Sequence, residues 1–183
     1  HAFDGLVTPA DFMELRYKMQ GAMERGLAVT REVGAEFGEA FGRHYDVVEK
    51  YRMDDAEIVL VTCSSITSTS RVVVDELRAA GEKVGLLKMR LFRPFPVAAV
   101  RDALAKAAKV AVVDRNISYG RGGIFASEIK AALYDIAERP VIFPFIIGLG
   151  GRDVTPQSIR DIVRHAQEHD APDGEIIWME VKR

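Results

Sequence analysis

"KVAVVDRNISYGRGGIFASEIKAALYDIA" occupies residues 109–137. It opens on "KVAVVD" (109–114), a strand pattern that is apolar over 110–113, and turns through three glycines and two arginines. It closes on apolar residues at helical spacing over 124–137. Strand, loop and helix in that order, with the strand apolar on both faces, form the unit of a parallel sheet covered by helices.

The same unit recurs on both sides. "EIVLVTC" (57–63), "KVGLLKM" (83–89), "PVIFPFIIG" (140–148) and "EIIWMEV" (175–181) read as further strands. "SRVVVDELRAAG" (70–81), "PVAAVRDALAKAA" (96–108) and "TPQSIRDIVRHAQEH" (155–169) read as helices. Strands alternating with helices specify an α/β fold built from βαβ units. The expected organisation is a helical connecting segment over residues 1–50 and an α/β domain over 51–183.

The first segment has its own signature. Thr8-Pro9 is a helix start, a hydroxyl before proline at the first helical position. Phe12, Leu15, Met19, Met23 and Leu27 follow at helical spacing, and Val33, Phe37 and Phe41 continue it. Beside them runs a small-residue stripe: Ala22, Gly26, Thr30, Gly34, Gly38, Gly42. Each glycine costs a helix interior about 1 kcal/mol, which the close approach of another backbone would offset. An unbroken helix from 9 to 41 would run about 50 Å. It therefore breaks near Gly34, as two helices with glycine joints, or it extends beyond its own domain onto a neighbour.

The chain has 183 residues, 48% hydrophobic and 28% charged, with a net charge of −2. That balance suits a globular protein and lacks the basic surface that nucleic acid or an anionic membrane requires. The single cysteine, Cys63, excludes an internal disulfide or a CxxC metal site. No apolar run reaches membrane-spanning length. "HAFDG" at the start has neither an initiator methionine nor a signal pattern, so His1 reads as a tag remnant or a cut within a longer polypeptide.

Ligands of open α/β sheets bind beyond the carboxyl ends of the strands, where four loops fall. "TCSSITSTS" (62–70) offers hydroxyls ahead of a helix, suited to an anion or to ordinary capping. Cys63 there has no basic residue within seven positions and reads as a small buried hydrophobe. "RLFRPFP" (90–96) carries Arg90 and Arg93, suited to a carboxylate or phosphate, or to a neighbouring acidic loop. "DRNISYGRGG" (114–123) lacks the dinucleotide pattern, because Phe125 stands where a third glycine belongs, and it lacks G-K-[ST]. Its glycine pair still leaves N–H groups at a helix start. "GLGGRDVTP" (148–156) repeats the theme, with Asp153 placed to orient Arg152 or to accept from loop N–H groups. The resulting candidates for anion or domain-interface contact are Arg93, Arg115, Asn116, Ser118, Arg121, Gly122 and Arg152. No loop joins a base, a nucleophile and an orienting group, so no catalytic residue is assigned. His165 and His169 have a metal-compatible spacing but no third ligand in sequence, and read as a solvated helix end. No metal site is expected.

Five stretches carry a family resemblance: "ELRYKMQGAMERG" (14–26), "FGRHYDVVEKYRMDDAEIVLV" (41–61), "VDELRAAGEKVGLLKMRLFRPFP" (74–96), "AVVDRNISYGRGG" (111–123) and "GLGGRDVTP" (148–156). Together, in order and over nearly the whole chain, they resemble the 2-oxoacid:ferredoxin oxidoreductases, nearest to the pyruvate enzymes. The match is to the C-terminal half of the alpha subunit. One departure is "TCSS", where related sequences often place a glycine after the first strand. The resemblance implies a three-layer fold like the transketolase C-terminal domain, with a mostly parallel five-stranded sheet. It implies a cytoplasmic, oligomeric complex that uses thiamine diphosphate with Mg, [4Fe-4S] clusters and coenzyme A, and that reduces ferredoxin. None of these groups is expected to be held by this segment alone, whose partners would be the remaining domains or subunits. The second reading is a stand-alone regulatory module that binds an anion or coenzyme A at the arginine–glycine loops.

Overall fold

The computed structural model describes residues 7–182; the opening "HAFDG" lies outside the described residues. The chain folds as α1 (Pro9–Phe41), β1 (Val48–Tyr51), β2 (Ile58–Cys63), α2 (Ile66–Ala79), β3 (Val84–Met89), α3 (Val97–Leu104), β4 (Lys109–Asp114), α4 (Ile124–Leu133), β5 (Val141–Ile146), α5 (Pro156–Glu168) and β6 (Ile177–Trp178). A single 3-10 turn, Leu149–Gly151, precedes α5. No described helix is long and apolar enough to cross a membrane.

The sheet order is β1-β3-β2-β4-β5-β6. All neighbours are parallel except β1, which runs antiparallel on β3. The five expected strands are present, and β1 corrects their number to six. Of its four residues, Val-Glu-Lys-Tyr, only Val48 is buried, and Lys50 on the same face is exposed, a signal too short and too irregular to stand out from the helical segment before it. The boundary expected at residues 50/51 falls inside this strand. β6 is shorter than its 175–181 pattern and pairs only with Phe145 and Ile146. α2 begins at Ile66 rather than at residue 70, because Thr67 and Ser70 turn inward and are buried.

Successive strand residues point to opposite faces, and both faces are dry. Leu60, Leu86, Ala111, Val113, Phe143 and Phe145 pack under α2 and α5, with Val73, Val74, Ile159 and Ile162. Val59, Val61, Leu87, Val110 and Val112 pack under α3 and α4, with Val100, Leu104, Ile129 and Leu133. The result is three layers, helix–sheet–helix.

α1 is one unbroken helix of 33 residues, capped by Gly42 at φ 68°, so the alternative of a break near Gly34 does not occur. Two of its glycines, Gly34 and Gly38, are explained within the chain. A Cβ on Gly34 would lie 1.9 Å from the Tyr45 carbonyl oxygen, and one on Gly38 would lie 2.0 Å from the His44 ring. The backbone approach that offsets these glycines is the returning segment that leads into β1. Residues 9–20 of α1 are exposed throughout.

Candidate functional site: the carboxyl edge of the sheet

Because β2, β3, β4 and β5 are parallel, the loops after them share one edge. Chain order reverses around β2: β3 lies on one side of it and β4 on the other. The crevice between the ends of β2 and β4 is the topological switch point where such folds bind ligands.

Arg115 spans this crevice. Its Nε and Nη2 donate to the Gly148 carbonyl at 3.4 and 3.3 Å, and its Nη1 donates to Ser65 Oγ at 3.2 Å. Three loops are thereby tied together. Ser65, Thr69, Arg115, Arg152 and Asp153 line a depression of about 410 Å³ there. Arg152 donates to the Glu180 carbonyl, and Asp153 accepts from the Val154 N–H at 2.9 Å. Ser64 adopts φ 57°, the left-handed backbone that glycine takes most readily.

The glycine loop closes on itself. Asp114 is fully buried at the end of β4 and accepts from the N–H groups of Phe125 and Ala126 at 3.1 and 3.0 Å. Asn116 donates to Asp114 at 3.0 Å and accepts from the Ile124 N–H at 2.9 Å. The first three N–H groups of α4 are therefore taken by the chain's own side chains. The expectation that Gly122-Gly123 leaves free donors for an anion is corrected: an internal carboxylate holds the place a phosphate would take. Burial raises the Asp114 carboxyl above its ordinary value, against the opposing pull of its three hydrogen bonds. Ser118 pairs with Gly122 through the backbone, and Arg121 and Tyr119 are exposed at the loop tip.

Arg93 bonds Glu128 of α4 at 2.6 Å and lies over the Phe92 ring, so its acidic partner is within the fold. Cys63 is half-buried, and burial raises its thiol above the ordinary value; it is a weak nucleophile. A second depression of about 460 Å³ lies between α1 and β1. Its cations face the chain's own acids, Arg31 against Asp46 at 3.1 Å and Arg90 against Glu49. At the opposite end of the sheet, His165 and His169 are joined by Asp173, a third potential ligand from the following loop. No fixed spacing in the sequence signals that residue.

Residues 56–159 match the family described as pyruvate:ferredoxin oxidoreductase core domain II. The chain is 45% identical over 174 residues to pyruvate synthase subunit PorA of Methanothermobacter thermautotrophicus, covering 95% of this chain and 44% of that subunit. The chain belongs to the 2-oxoacid:ferredoxin oxidoreductase family. It is also 41% identical to ketoisovalerate oxidoreductase subunit VorA of Pyrococcus abyssi, over all of this chain and 47% of that subunit. It thus spans a little under half the length of these relatives.

Among solved structures, 88% of the chain superposes on 24% of the 2-oxoglutarate:ferredoxin oxidoreductase from Magnetococcus marinus, with a TM-score of 0.56 and 20% identity. A split-gene transketolase matches 68% of the chain and is covered over 43% of its own length, with a TM-score of 0.54 and 12% identity. The fold is that of the oxidoreductase family and of transketolase domains.

Proposed function

We propose that this oxidoreductase-family chain is an assembly domain, completed by other domains or subunits of the enzyme. The observation that carries this reading is α1. Phe12, Leu15, Met19 and Met23 are 48%, 39%, 51% and 47% exposed, at helical spacing on a helix about 50 Å long. Apolar side chains exposed at that spacing fit burial against another part of an assembly. In this reading residues 1–50 connect and residues 51–183 form the α/β unit, with β1 stitching the first onto the second.

The complete enzyme oxidatively decarboxylates a 2-oxoacid, pyruvate in our reading, to an acyl-CoA and reduces ferredoxin. It works as a cytoplasmic oligomer. The residues present here do not fit its redox and thiamine cofactors. One half-buried cysteine cannot supply four thiolates to an iron–sulfur cluster. At the glycine loop, the donors a diphosphate needs are engaged by Asp114 and Asn116. Thiamine diphosphate, its Mg ion and the clusters therefore belong to the partners. Coenzyme A is bound in the Magnetococcus marinus structure. Here the exposed guanidinium groups of Arg121 and Arg152 are placed to meet its phosphates or a partner's acids.

The test is co-expression with the remaining enzyme. Leu15→Glu with Met19→Glu should leave the chain folded but abolish co-purification and oxoacid-dependent ferredoxin reduction. Full assembly and activity would overturn the reading.

A further inference from the structure

The end of α5 presents a cluster that the oxidoreductase function does not use. His165 and His169 are one helical turn apart, and the loop that leads to β6 brings Asp173 back over them. One ligand atom from each of the three residues falls within a 4.8 Å group.

Two details distinguish this cluster from a solvated helix end. His169 Nδ1 lies 2.8 Å from the His165 carbonyl. A carbonyl only accepts, so the proton is on Nδ1 and Nε2 keeps its lone pair. A backbone carbonyl fixing the far nitrogen is the usual support of a metal-bound imidazole. His165 is wedged edge-on against Phe145 and Phe143, at 5.4 and 6.1 Å between ring centres. Its Nε2 is shut off from water with no hydrogen-bond partner among the described residues, and Asp173 Oδ2 stands 3.6 Å away. A buried polar atom left in that state calls for a missing partner.

We infer that His165, His169 and Asp173 bind a divalent transition metal, zinc by preference, which pins the loop before β6 to the end of α5. Two imidazoles and a carboxylate with a water suit a four-coordinate zinc ion. Negative charge lies around the cluster: Glu168 acts on His165 alongside Asp173, and Asp170 stands 3.9 Å from Lys109. The neighbouring cation, Lys109, is engaged by the carbonyls of Gln167 and His169. The two rings stack at 4.1 Å with 16° between their planes, a face-to-face arrangement that two imidazoles on one four-coordinate ion do not keep. Binding therefore draws the donors together and splays the rings, with Asp173 the exposed member of the three.

The test uses the 183-residue chain stripped with a chelator and titrated with Zn²⁺ alone, then with Co²⁺ as a spectroscopic probe. The expected result is one ion per chain and a rise in melting temperature of about 5–10 °C at hundredfold excess over the dissociation constant. Co²⁺ should give the visible band of a four-coordinate site. His169→Ala should abolish the band, and Asp173→Asn should weaken binding at least about tenfold. His44→Ala, remote from the cluster, should change nothing. Asp173 is exposed and His169 half-buried at the end of α5, and circular dichroism checks that both variants fold. Absence of stoichiometric binding, or binding that survives His169→Ala, would overturn the assignment.

Discussion

The Oδ2 atom of Asp114 lies 2.1 Å from the position a Cβ on Gly123 would take. The glycine is there to admit a carboxylate, and the carboxylate comes from the preceding strand rather than from a ligand. Gly123→Ala should force the cap apart and destabilise the fold by about 2 kcal/mol, within the usual range for overpacking a tight site. Urea unfolding against the parent chain measures this, and an unchanged midpoint would contradict it.

Asp114 also sets a pH dependence. Its carboxyl is raised in the fold because burial outweighs its hydrogen bonds. A group raised on folding stabilises fully below its unfolded value, here 3.8, and loses that contribution as pH climbs through the folded value. Relative to Asp114→Asn, the parent chain should therefore lose stability as pH rises from about 4 towards neutrality. Paired urea titrations across that window check the sign, and a relative gain with pH would refute it.

Two glycines of α1 should respond in opposite ways. A Cβ on Gly34 meets the Tyr45 carbonyl oxygen, whereas a Cβ on Gly21 meets only Arg25 at an ordinary 3.5 Å. Gly34→Ala should cost about 2 kcal/mol and loosen the segment before β1. Gly21→Ala should stabilise α1 by about 0.5–1 kcal/mol through helix propensity. Thermal melts of the two variants decide the matter.

Glu49 of β1 faces Arg71 of α2 and Arg90 after β3. Its side chain is 23% exposed, as is that of Arg90, so truncation strands charge in a half-dry site. Glu49→Ala should destabilise by about 1–3 kcal/mol. Arg90→Ala in that background should cost less than it does in the parent chain, and a double-mutant cycle measures the difference.

Much of this architecture is legible in residue order. The runs at 57–63, 83–89 and 109–114 hold stretches without a polar side chain at 58–61, 84–87 and 110–113, and a sheet covered on both faces accepts such strands. Thr155-Pro156 starts α5 with a capping box closed by Ser158, as the hydroxyl–proline pair implies. β1 escapes notice because four residues at an edge, the middle two charged, carry little signal. The occupied donors of the glycine loop are hidden as well. Sequence shows N–H groups at a helix start, but which carboxylate reaches them depends on the depth of Asp114 at the end of β4. Asp173 is invisible for a related reason: a loop, rather than a helical period, brings it to the two histidines.

The central claim is that the apolar side of α1 is covered in the working enzyme. Hydroxyl-radical footprinting of Met19 and Met23, in the isolated chain and in the complete oxidoreductase, tests it directly. Both methionines are about half exposed in the chain alone. The account predicts rapid oxidation in the isolated chain and strong protection in the assembly. Equal oxidation in both states would contradict it.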